Sequence, residues 1–219
     1  MMKGSFREAK AAVYNKMRGV ILVVSGPAGS GKGTVCKLLR DSGDFVLSVS
    51  RTTRAPRPGE VNGVDYTFVT HEDFEKYLAE DDFLEYNQYC GEYYGTPRRE
   101  AEEHIAAGRN MILEIDVNGG AQVKAKCPDV VLVMLMPPTF TEQEARLRGR
   151  GTETEEKIKS RLERTREELK KLADYDYIVY NYDGEIENAA KQLKAIAEAE
   201  RCSRRRIENA AEKYFANKN

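Results

Sequence analysis

The chain has 219 residues, enough for one well-buried domain with appended segments but short for two independent domains. Its 35 Lys and Arg residues nearly cancel its 36 Asp and Glu residues, and the net charge of −1 argues against a nucleic-acid or anionic membrane partner. The 4 cysteines and 2 histidines form no zinc or disulfide pattern. Residues 1–17, read as an N-terminal extension, lack a signal core, and no apolar run reaches the roughly 18 residues of a membrane helix. We expect a cytoplasmic protein whose oligomeric state stays open.

The first strongly apolar segment, residues 20–25, leads directly into a glycine-rich loop. In that loop Gly26, Gly31 and Lys32 have the G-x-x-x-x-G-K spacing of a phosphate-binding loop, whose backbone N–H groups surround a polyphosphate. The helix predicted at residues 33–39 adds its positive N-terminal dipole to the same place. The segment therefore predicts a nucleotide site.

One position departs from the usual phosphate-binding motif. Gly33 stands where Ser or Thr would bind Mg²⁺, and the hydroxyl comes one residue later, at Thr34. Metal contact there therefore runs either through water or through Thr34 in a shifted geometry. Adenylate kinases show a similar Gly-Lys-Gly-Thr ending, so this loop alone does not distinguish the families that transfer phosphoryl groups.

Strand-like and helical patterns alternate along the rest of the chain, which predicts an α/β fold. Three of the strand-like segments are apolar almost throughout, as expected for a parallel sheet that helices cover on both faces. The predicted strands are residues 20–25, 45–50, 65–69, 110–115, 130–136 and 177–180.

Two segments differ from this alternation. Residues 51–99 are rich in Tyr, Thr, Arg and Gly, with short strands and a small helix near residues 71–78, and they predict an inserted β-rich flap. Residues 141–172 predict a highly charged helical hairpin that is interrupted at Gly149 and Gly151. We interpret this hairpin as a mobile lid.

The C-terminal part, residues 185–215, predicts one long charged helix that packs on the core. Its intermittent apolar stripe consists of Ile186, Leu193, Ile196 and Ile207. The basic run Arg204–Arg206 lies within this segment and is interpreted as a solvated face rather than as a binding site.

Five segments together resemble the guanylate kinases in order and spacing, over about residues 18–200. They are the phosphate-binding loop, SVSRTTRAPRPGEVNGVDYTF at 48–68, FLEYNQYCGEYYGT at 83–96, LEIDVNG at 113–119 and RLRGRGTETEEKIKSRL at 146–162. The resemblance implies a P-loop nucleoside monophosphate kinase, a three-layer α/β fold with a central, mainly parallel sheet, which transfers the γ-phosphoryl group of ATP to GMP with Mg²⁺. The implied domain is 18–219, with the core at 18–50, 100–140 and 173–219, the GMP-binding flap at 51–99 and the helical lid at 141–172.

The resemblance assigns the phosphate-binding loop to ATP and lets Lys32 bridge the β- and γ-phosphates. The implied ATP-binding residues are Gly26, Gly29, Gly31, Lys32, Gly33 and Thr34. The implied catalytic residues are Lys32 and three lid arginines that move onto the transferring phosphoryl group, Arg146, Arg150 and Arg161. Arg148 is interpreted as a surface residue, and Arg164 and Arg166 as i,i+4 partners of nearby glutamates.

Two residues expected near the metal ion differ from those usual in the family. The family usually has Asp at the position of Glu114, in a role near Mg²⁺, and Gly33 replaces the usual hydroxyl. Thr34 and Glu114 are therefore expected to meet the ion through water or in altered geometry. Mg²⁺ tolerates both departures when phosphates and water hold it, because it keeps several of its waters.

Guanidinium and phenol groups suited to a monophosphate lie in the flap. Arg54 and Arg57 are three residues apart across Pro56, in a stretch whose prolines and glycine disfavour a helix. Guanidinium groups bind phosphate in a bidentate manner, and Tyr66 and Tyr94 can add hydroxyl groups. These two arginines and two tyrosines are the predicted ligands of the GMP phosphate.

Guanine presents an N1–H and a 2-amino group where adenine offers neither donor, so selection of guanine requires acceptors. By the resemblance, the carboxylates of Glu85 and Asp116 face that edge, and Ser50 and Thr96 contribute hydroxyl groups near the base. Glu114 and Asp116 are two residues apart at the end of an apolar strand. Their side chains therefore project to one face, at the strand end where ligands gather.

Two alternatives to an ATP:GMP phosphotransferase stay open. A non-catalytic guanylate-kinase-like module would bind phosphopeptides, but such modules typically lose phosphate-loop or lid chemistry, which this chain retains. The alternative of an adenylate-type monophosphate kinase depends only on the Gly33 and Thr34 ending of the loop. It conflicts with the acidic pair Glu85 and Asp116, which suits guanine. The chain presents no strong general base, and phosphoryl transfer depends mainly on positioning and charge neutralisation.

Overall fold

The structure, a computed structural model, describes residues 18–149, 151, 154–207 and 209–216. In this part of the chain the strands are β1 Ile21–Ser25, β2 Phe45–Leu47, β3 Arg51–Thr52, β4 Thr67–Phe68, β5 Phe83–Tyr89, β6 Glu92–Pro97, β7 Asn110–Glu114, β8 Val131–Met136 and β9 Tyr177–Tyr180. The α-helices are α1 Lys32–Asp41, α2 His71–Ala79, α3 Arg98–Ala106, α4 Val117–Lys126, α5 Phe140–Gly149, α6 Glu155–Leu169, α7 Ile186–Arg201 and α8 Ala210–Ala216. Short 3₁₀ turns lie at Leu172–Asp174 and Arg204–Arg206.

A parallel five-stranded sheet of order β2-β7-β1-β8-β9 forms the centre of the fold. Alternate residues of β1 face opposite sides because strand side chains alternate. Leu22 and Val24 pack with α1 and α7, whereas Ile21 and Val23 pack with α3 and α4. The three-layer α/β fold predicted from the sequence is confirmed.

A second, four-stranded sheet of order β4-β3-β6-β5 forms from residues of the predicted flap. The predicted strand at 45–50 is wrong in its second half, because the chain leaves the central sheet after Leu47 and pairs again at Arg51–Thr52, in the second sheet. Ser48 and Ser50 lie between the two pairings and supply no apolar surface for a strand covered on both faces. Of the predicted strand at 65–69, Thr67–Phe68 forms β4, and Tyr66 pairs with Asn62 in an isolated bridge.

Aromatic side chains give the second sheet a small core of its own. Phe74 of α2 stacks on Phe83 with ring centroids 4.5 Å apart and on Tyr93 at 5.1 Å. Thr70 caps the start of α2, because its side chain accepts a hydrogen bond from the backbone N–H of Asp73 at 3.0 Å. The small helix predicted near 71–78 is therefore confirmed.

The prediction of one continuous helix at residues 185–215 is wrong. Helix α7 ends at Arg201, a 3₁₀ turn follows, and α8 begins at Ala210. Leu193 of α7 is fully buried, but no apolar residue continues the stripe between Ala199 and Ile207, so burial does not support a longer helix.

The basic run Arg204–Arg206 is solvated only in part, which corrects the second C-terminal prediction. Arg205 Nη2 lies 2.7 Å and Arg206 Nε 3.3 Å from Oε2 of Glu200, a carboxylate that is 6% exposed. A buried carboxylate needs nearby positive charge, and the chain turns back after α7 to supply it. Among the described helices, none is long and apolar enough to cross a membrane.

Candidate active site

The candidate site lies at the carboxyl ends of β1 and β7, which are neighbours in the central sheet. Val24 of β1 pairs in register with Glu114 of β7, so the loop after β1 and the acidic end of β7 come side by side. Ligands of parallel α/β sheets bind at this edge. The loop continues directly into α1, which begins at Lys32.

Glycines shape the phosphate-binding loop. Gly29 and Gly31 have φ angles of 85° and 87°, in the left-handed region that favours glycine. A Cβ atom at Gly31 would lie 2.4 Å from Nδ2 of Asn181, which donates a 2.9 Å hydrogen bond to the carbonyl oxygen of Ser30. Asn181 is 5% exposed and follows β9 directly. The residue that follows β9, two strands away from β1 in the central sheet, thus holds the loop in place.

We expect Gly31→Ala to lower the free energy of unfolding by about 2–5 kcal/mol. A left-handed alanine costs about 1–2 kcal/mol, and displacement of Asn181 leaves the Ser30 carbonyl without its hydrogen bond, at about 1–3 kcal/mol. Gly43→Ala is the matched control, since Gly43 has a φ of 77° but no heavy atom within 4 Å of an added Cβ. Urea unfolding checks both variants, and equal losses would contradict the role of Asn181.

Lys32 folds back over the loop that precedes it. Its Nζ donates to the carbonyl oxygen of Gly26 and lies 3.5 Å from that of Pro27. Burial lowers the pKa of Lys32, while the nearby carboxylates, chiefly Glu114 and Glu168, oppose this shift. No side chain caps the start of α1, so its first N–H groups and a lysine face the same place. This arrangement suits an anion.

In the described part of the chain, few acidic or hydroxyl side chains lie beside the phosphate-binding loop at the place where a metal ion would bind. Glu114 ends β7, and its Oε1 would lie 3.6 Å from a Cβ atom placed on Gly33. The surrounding protein removes hydration from the Glu114 carboxylate and raises its pKa, and Lys32 opposes that effect. Thr34 is exposed on the first turn of α1. Within the described ranges, no group of three or more His, Cys, Asp or Glu side chains could hold a metal ion alone.

A second basic and aromatic cluster lies in the flap. Nη2 of Arg54 lies 2.9 Å from both carboxylate oxygens of Glu60, which also accepts from the backbone N–H of Arg57 at 2.7 Å. The Arg54 guanidinium lies 5.5 Å from the ring centre of Tyr66, and the Tyr66 and Tyr94 rings are 6.1 Å apart. Arg54, Tyr66 and Tyr94 thus meet, whereas the side chain of Arg57 is exposed.

Two carboxylates lie between the flap and the core. Glu85 is 6% exposed, and its Oε1 accepts a 2.6 Å hydrogen bond from the hydroxyl of Thr96. Burial raises the pKa of Glu85, the Thr96 hydrogen bond lowers it, and Asp116 raises it further. Oδ1 of Asp116 accepts from the N–H groups of Asn118 and Gly119 at the start of α4. Its Oδ2 lies 3.1 Å from Nη2 of Arg164.

A pocket of about 280 Å³ lies between the end of β7 and the flap. Tyr66 and Thr96 line it from the flap, and Ser50 lines it at the start of the flap. Leu113, Glu114 and Ile115 line it from the end of β7. Its walls therefore come from both the phosphate-loop edge of the core sheet and the flap.

Comparison with known proteins identifies the family. The sequence model of the family described as guanylate kinase matches residues 16–200. The chain belongs to the guanylate kinase family. Over 200 residues it is 46% identical to a guanylate kinase of Halalkalibacterium halodurans, covering 91% of this chain and 96% of that one. Over 198 residues it is 46% identical to a guanylate kinase of Lactococcus lactis, covering 90% and 94%.

A solved guanylate kinase structure has the same overall fold. The crystal structure of guanylate kinase from Anaplasma phagocytophilum superposes with a TM-score of 0.72 at 31% identity, covering 93% of this chain and 97% of that one. The family, the fold class and the guanylate kinase enzyme class predicted from the sequence are confirmed.

The lid arginines that the guanylate kinase resemblance implied have different surroundings. Arg146 of α5 contacts Glu142, and its Nη2 lies 2.9 Å from the carbonyl oxygen of Asn181, beside the phosphate-binding loop. Arg161 lies on α6, and its backbone carbonyl accepts from Thr165 at 3.0 Å. Arg150 lies outside the described residues. Arg146 thus lies beside the phosphate-binding loop, as the resemblance implied for a lid arginine.

The three arginines interpreted as surface or ion-pair residues have mixed outcomes. Arg148 contacts Glu144 and Glu155. Arg164 pairs with Glu168 at 2.9 Å, as predicted, and also reaches Asp116. Arg166 lies 5.8 Å from the ring centre of Phe140 in a cation–π contact.

Sequence reasoning missed Asn181, Glu60 and Gln143. Asn181 carried a signal, because it is the first polar residue after a strand of the central sheet, at the edge where ligands gather. Glu60 and Gln143 carried none, because an acid between glycine and valine, or an amide within a charged helix, is common on surfaces.

Proposed function

We propose that this chain transfers the γ-phosphoryl group of ATP to GMP and releases ADP and GDP. Membership of the guanylate kinase family over residues 16–200 carries this proposal. The geometry supports it, because Glu114, beside the phosphate-binding loop, and Tyr66, of the arginine and tyrosine cluster, line one pocket. Thr96 of the same pocket wall bonds the buried carboxylate of Glu85. Two phosphate sites are what a kinase of nucleoside monophosphates needs.

The ATP site is proposed at the phosphate-binding loop. The residues assigned to it are Gly26, Gly29, Gly31, Lys32, Gly33 and Thr34. The start of α1 has no side-chain cap, so its backbone N–H groups are available to phosphate oxygens. Lys32 lies at the same place and would neutralise charge on the β- and γ-phosphates as the bond to the leaving oxygen breaks.

The GMP phosphate is proposed to bind Arg54, Arg57, Tyr66 and Tyr94. Glu60 now neutralises Arg54 with both of its oxygens, at 2.9 Å. A phosphate has the same bidentate geometry and more charge than a carboxylate, so it would take the place of Glu60 on that guanidinium. Arg57 has an exposed side chain that can turn toward the same phosphate.

The guanine base is proposed to bind between Glu85 and Asp116. Thr96 holds one oxygen of Glu85 at 2.6 Å, which leaves Oε2 as an acceptor for the donors of the base. Asp116 Oδ1 is used by two backbone N–H groups of α4, so Oδ2, which Arg164 contacts at 3.1 Å, would accept from the base with its second lone pair or in exchange for that arginine. Ser50 and Thr96 add hydroxyl groups along the pocket wall.

Mg²⁺ is the proposed cofactor, held mainly by phosphate oxygens and water. The donors present fit that mode, because the lone carboxylate of Glu114 and the exposed hydroxyl of Thr34 are too few to hold the ion by themselves. When bound, Mg²⁺ would neutralise charge on the phosphates of ATP. Glu114 and Thr34 would orient its water molecules.

We assign residues 18–50, 100–140 and 173–219 to a core, residues 51–99 to a GMP-binding flap and residues 141–172 to a lid. The flap and the lid are proposed to close over the core when the substrates bind. The phosphate ligands are spread over these three parts, and closure would bring them onto one substrate pair and expel water. The arginines of the lid assigned to the transferring phosphoryl group are Arg146, Arg150 and Arg161.

Single substitutions are expected to separate the flap from the lid. Arg54→Ala should raise KM for GMP about tenfold or more, because the contact with the phosphate exists in the ground state. Arg150→Ala should mainly lower kcat, because that contact strengthens during phosphoryl transfer. Steady-state kinetics decide the matter, with Arg148→Ala as the control, since Arg148 already pairs with Glu144 and Glu155. An effect of Arg150→Ala on KM alone would contradict the lid mechanism.

A further inference from the structure

A buried amide on α5 connects the phosphate-binding loop with α6. The side chain of Gln143 is 2% exposed, and its Nε2 donates to the carbonyl oxygen of Ala28 at 2.9 Å. The same nitrogen donates to the hydroxyl of Thr165 at 2.7 Å. Thr165, also 2% exposed, donates in turn to the carbonyl oxygen of Arg161 at 3.0 Å. Both N–H bonds of the amide are thus used, one toward the loop and one toward α6.

Helix α5 packs against the loop through neighbouring residues as well. Leu147, one turn after Gln143, is fully buried, and its Cγ would lie 3.4 Å from a Cβ atom on Gly29. Arg146 donates to Asn181, which holds the carbonyl oxygen of Ser30. Three successive loop residues, at 28, 29 and 30, are therefore supported from outside by α5 or by Asn181. The Gln143 bond is the one that fixes a loop carbonyl directly from α5.

Burial of an amide is unfavourable unless its hydrogen bonds are made. An apolar side chain of similar length would pack at this position without that cost, so the amide contributes direction rather than net stability. Thr165 accepts one N–H of the Gln143 amide and so sets the orientation of that amide. The other N–H then points at the carbonyl oxygen of Ala28. A phosphate-binding loop needs such support, because misplacement of its N–H groups by a fraction of an ångström weakens every contact with the phosphates.

We propose that Gln143 is a positioning residue for ATP: it fixes the phosphate-binding loop through the Ala28 carbonyl, and Thr165 orients its amide. The inference rests on the proposed assignment of this loop to ATP. Gln143 contacts no flap residue assigned to GMP among its hydrogen bonds in the described chain. Its influence is therefore directed to one substrate.

Gln143→Met keeps the length of the side chain and removes both donors. We expect KM for ATP to rise about five- to tenfold, from the loss of one or two hydrogen bonds, with KM for GMP within about twofold of wild type. Amide hydrogen exchange should quicken at the loop residues 28–31. Thr165→Val, a milder change that only frees the amide to rotate, should raise KM for ATP about two- to threefold. Glu144→Gln, half-buried on the same helix and paired with Arg148, is the control and should change neither constant.

The outcomes separate this inference from the proposed site. Unchanged KM for ATP in both Gln143→Met and Thr165→Val, with unchanged loop exchange, would overturn the positioning role. An equal rise in both KM values together with a lower Tm would also overturn it, because that pattern indicates general loss of packing. If Lys32→Ala in parallel leaves ATP kinetics unchanged, the assignment of the loop to ATP fails instead.

Discussion

Lys32→Ala is expected to lower kcat about 10²- to 10³-fold, on the scale of losing one preorganised donor to the transition state. The lysine lies over the loop and would meet the negative charge that builds up as the γ-phosphoryl group leaves ADP. Lys37→Ala is the matched control, since Lys37 belongs to the same helix but is exposed and paired with Asp41. Turnover of Lys32→Ala within about threefold of wild type at saturating ATP would contradict the assigned role.

The fold of the Lys32→Ala variant should persist. Burial lowers the pKa of Lys32, so the folded state already disfavours its charge, and Glu114, whose pKa partial desolvation raises, can take up a proton when the lysine is removed. Glu114, the first of its acidic neighbours, is exposed at the end of β7. Circular dichroism and a thermal transition close to that of wild type would separate the kinetic loss from unfolding.

Glu85→Ala is the second substitution with a large expected effect. Hydrogen bonds to a charged acceptor contribute about 1.5–3 kcal/mol each, so loss of the pairing with guanine should lower kcat/KM for GMP about 10²- to 10³-fold. Glu80→Ala, an exposed acid at the end of α2, should leave kcat/KM within about twofold. A loss of less than about threefold in Glu85→Ala would show that this carboxylate does not read the base.

The pH dependence of GMP binding follows from the same carboxylate. Burial raises the pKa of Glu85 above its ordinary value of 4.5, so protonation begins at a higher pH than for an exposed glutamate. A protonated Glu85 donates where guanine needs an acceptor. KM for GMP should therefore rise as the pH falls toward the raised pKa, while KM for AMP, which lacks those donors, should not follow it. A profile of both constants between pH 5 and 8 checks this.

The parts that local sequence determines were predictable. The spacing of the glycines and the lysine predicts the loop from Gly26 to Thr34. Strands β1 and β8 are predicted by unbroken apolar runs, which are typical of strands covered by helices on both faces. The GMP-side residues Arg54, Tyr66 and Glu85 required the family resemblance, because a loop arginine or an acid beside Asp81 and Asp82 is ordinary by itself.

The supporting contacts of the site were not predictable from local pattern. Asn181 holds the loop across 151 residues of chain, Gln143 across 115, and Arg164 reaches Asp116 across 48. Such pairs depend on how the helices and strands pack, which periodicity does not encode. The end of α7 at Arg201 was missed for a related reason, because the attraction of Arg205 and Arg206 to the buried Glu200 outweighs the helical preference of the following residues.

The most direct test of the central claim is a coupled assay of the purified chain with ATP, Mg²⁺ and one acceptor at a time: GMP, dGMP, AMP or CMP. We expect GMP to yield GDP and ADP, and AMP to be used with a kcat/KM lower by roughly 10⁴-fold or more, because adenine leaves buried acceptors unpaired. Comparable kcat/KM for AMP and GMP would favour an adenylate-type kinase. Binding of GMP without any turnover would favour a non-catalytic module, and either result would contradict the account.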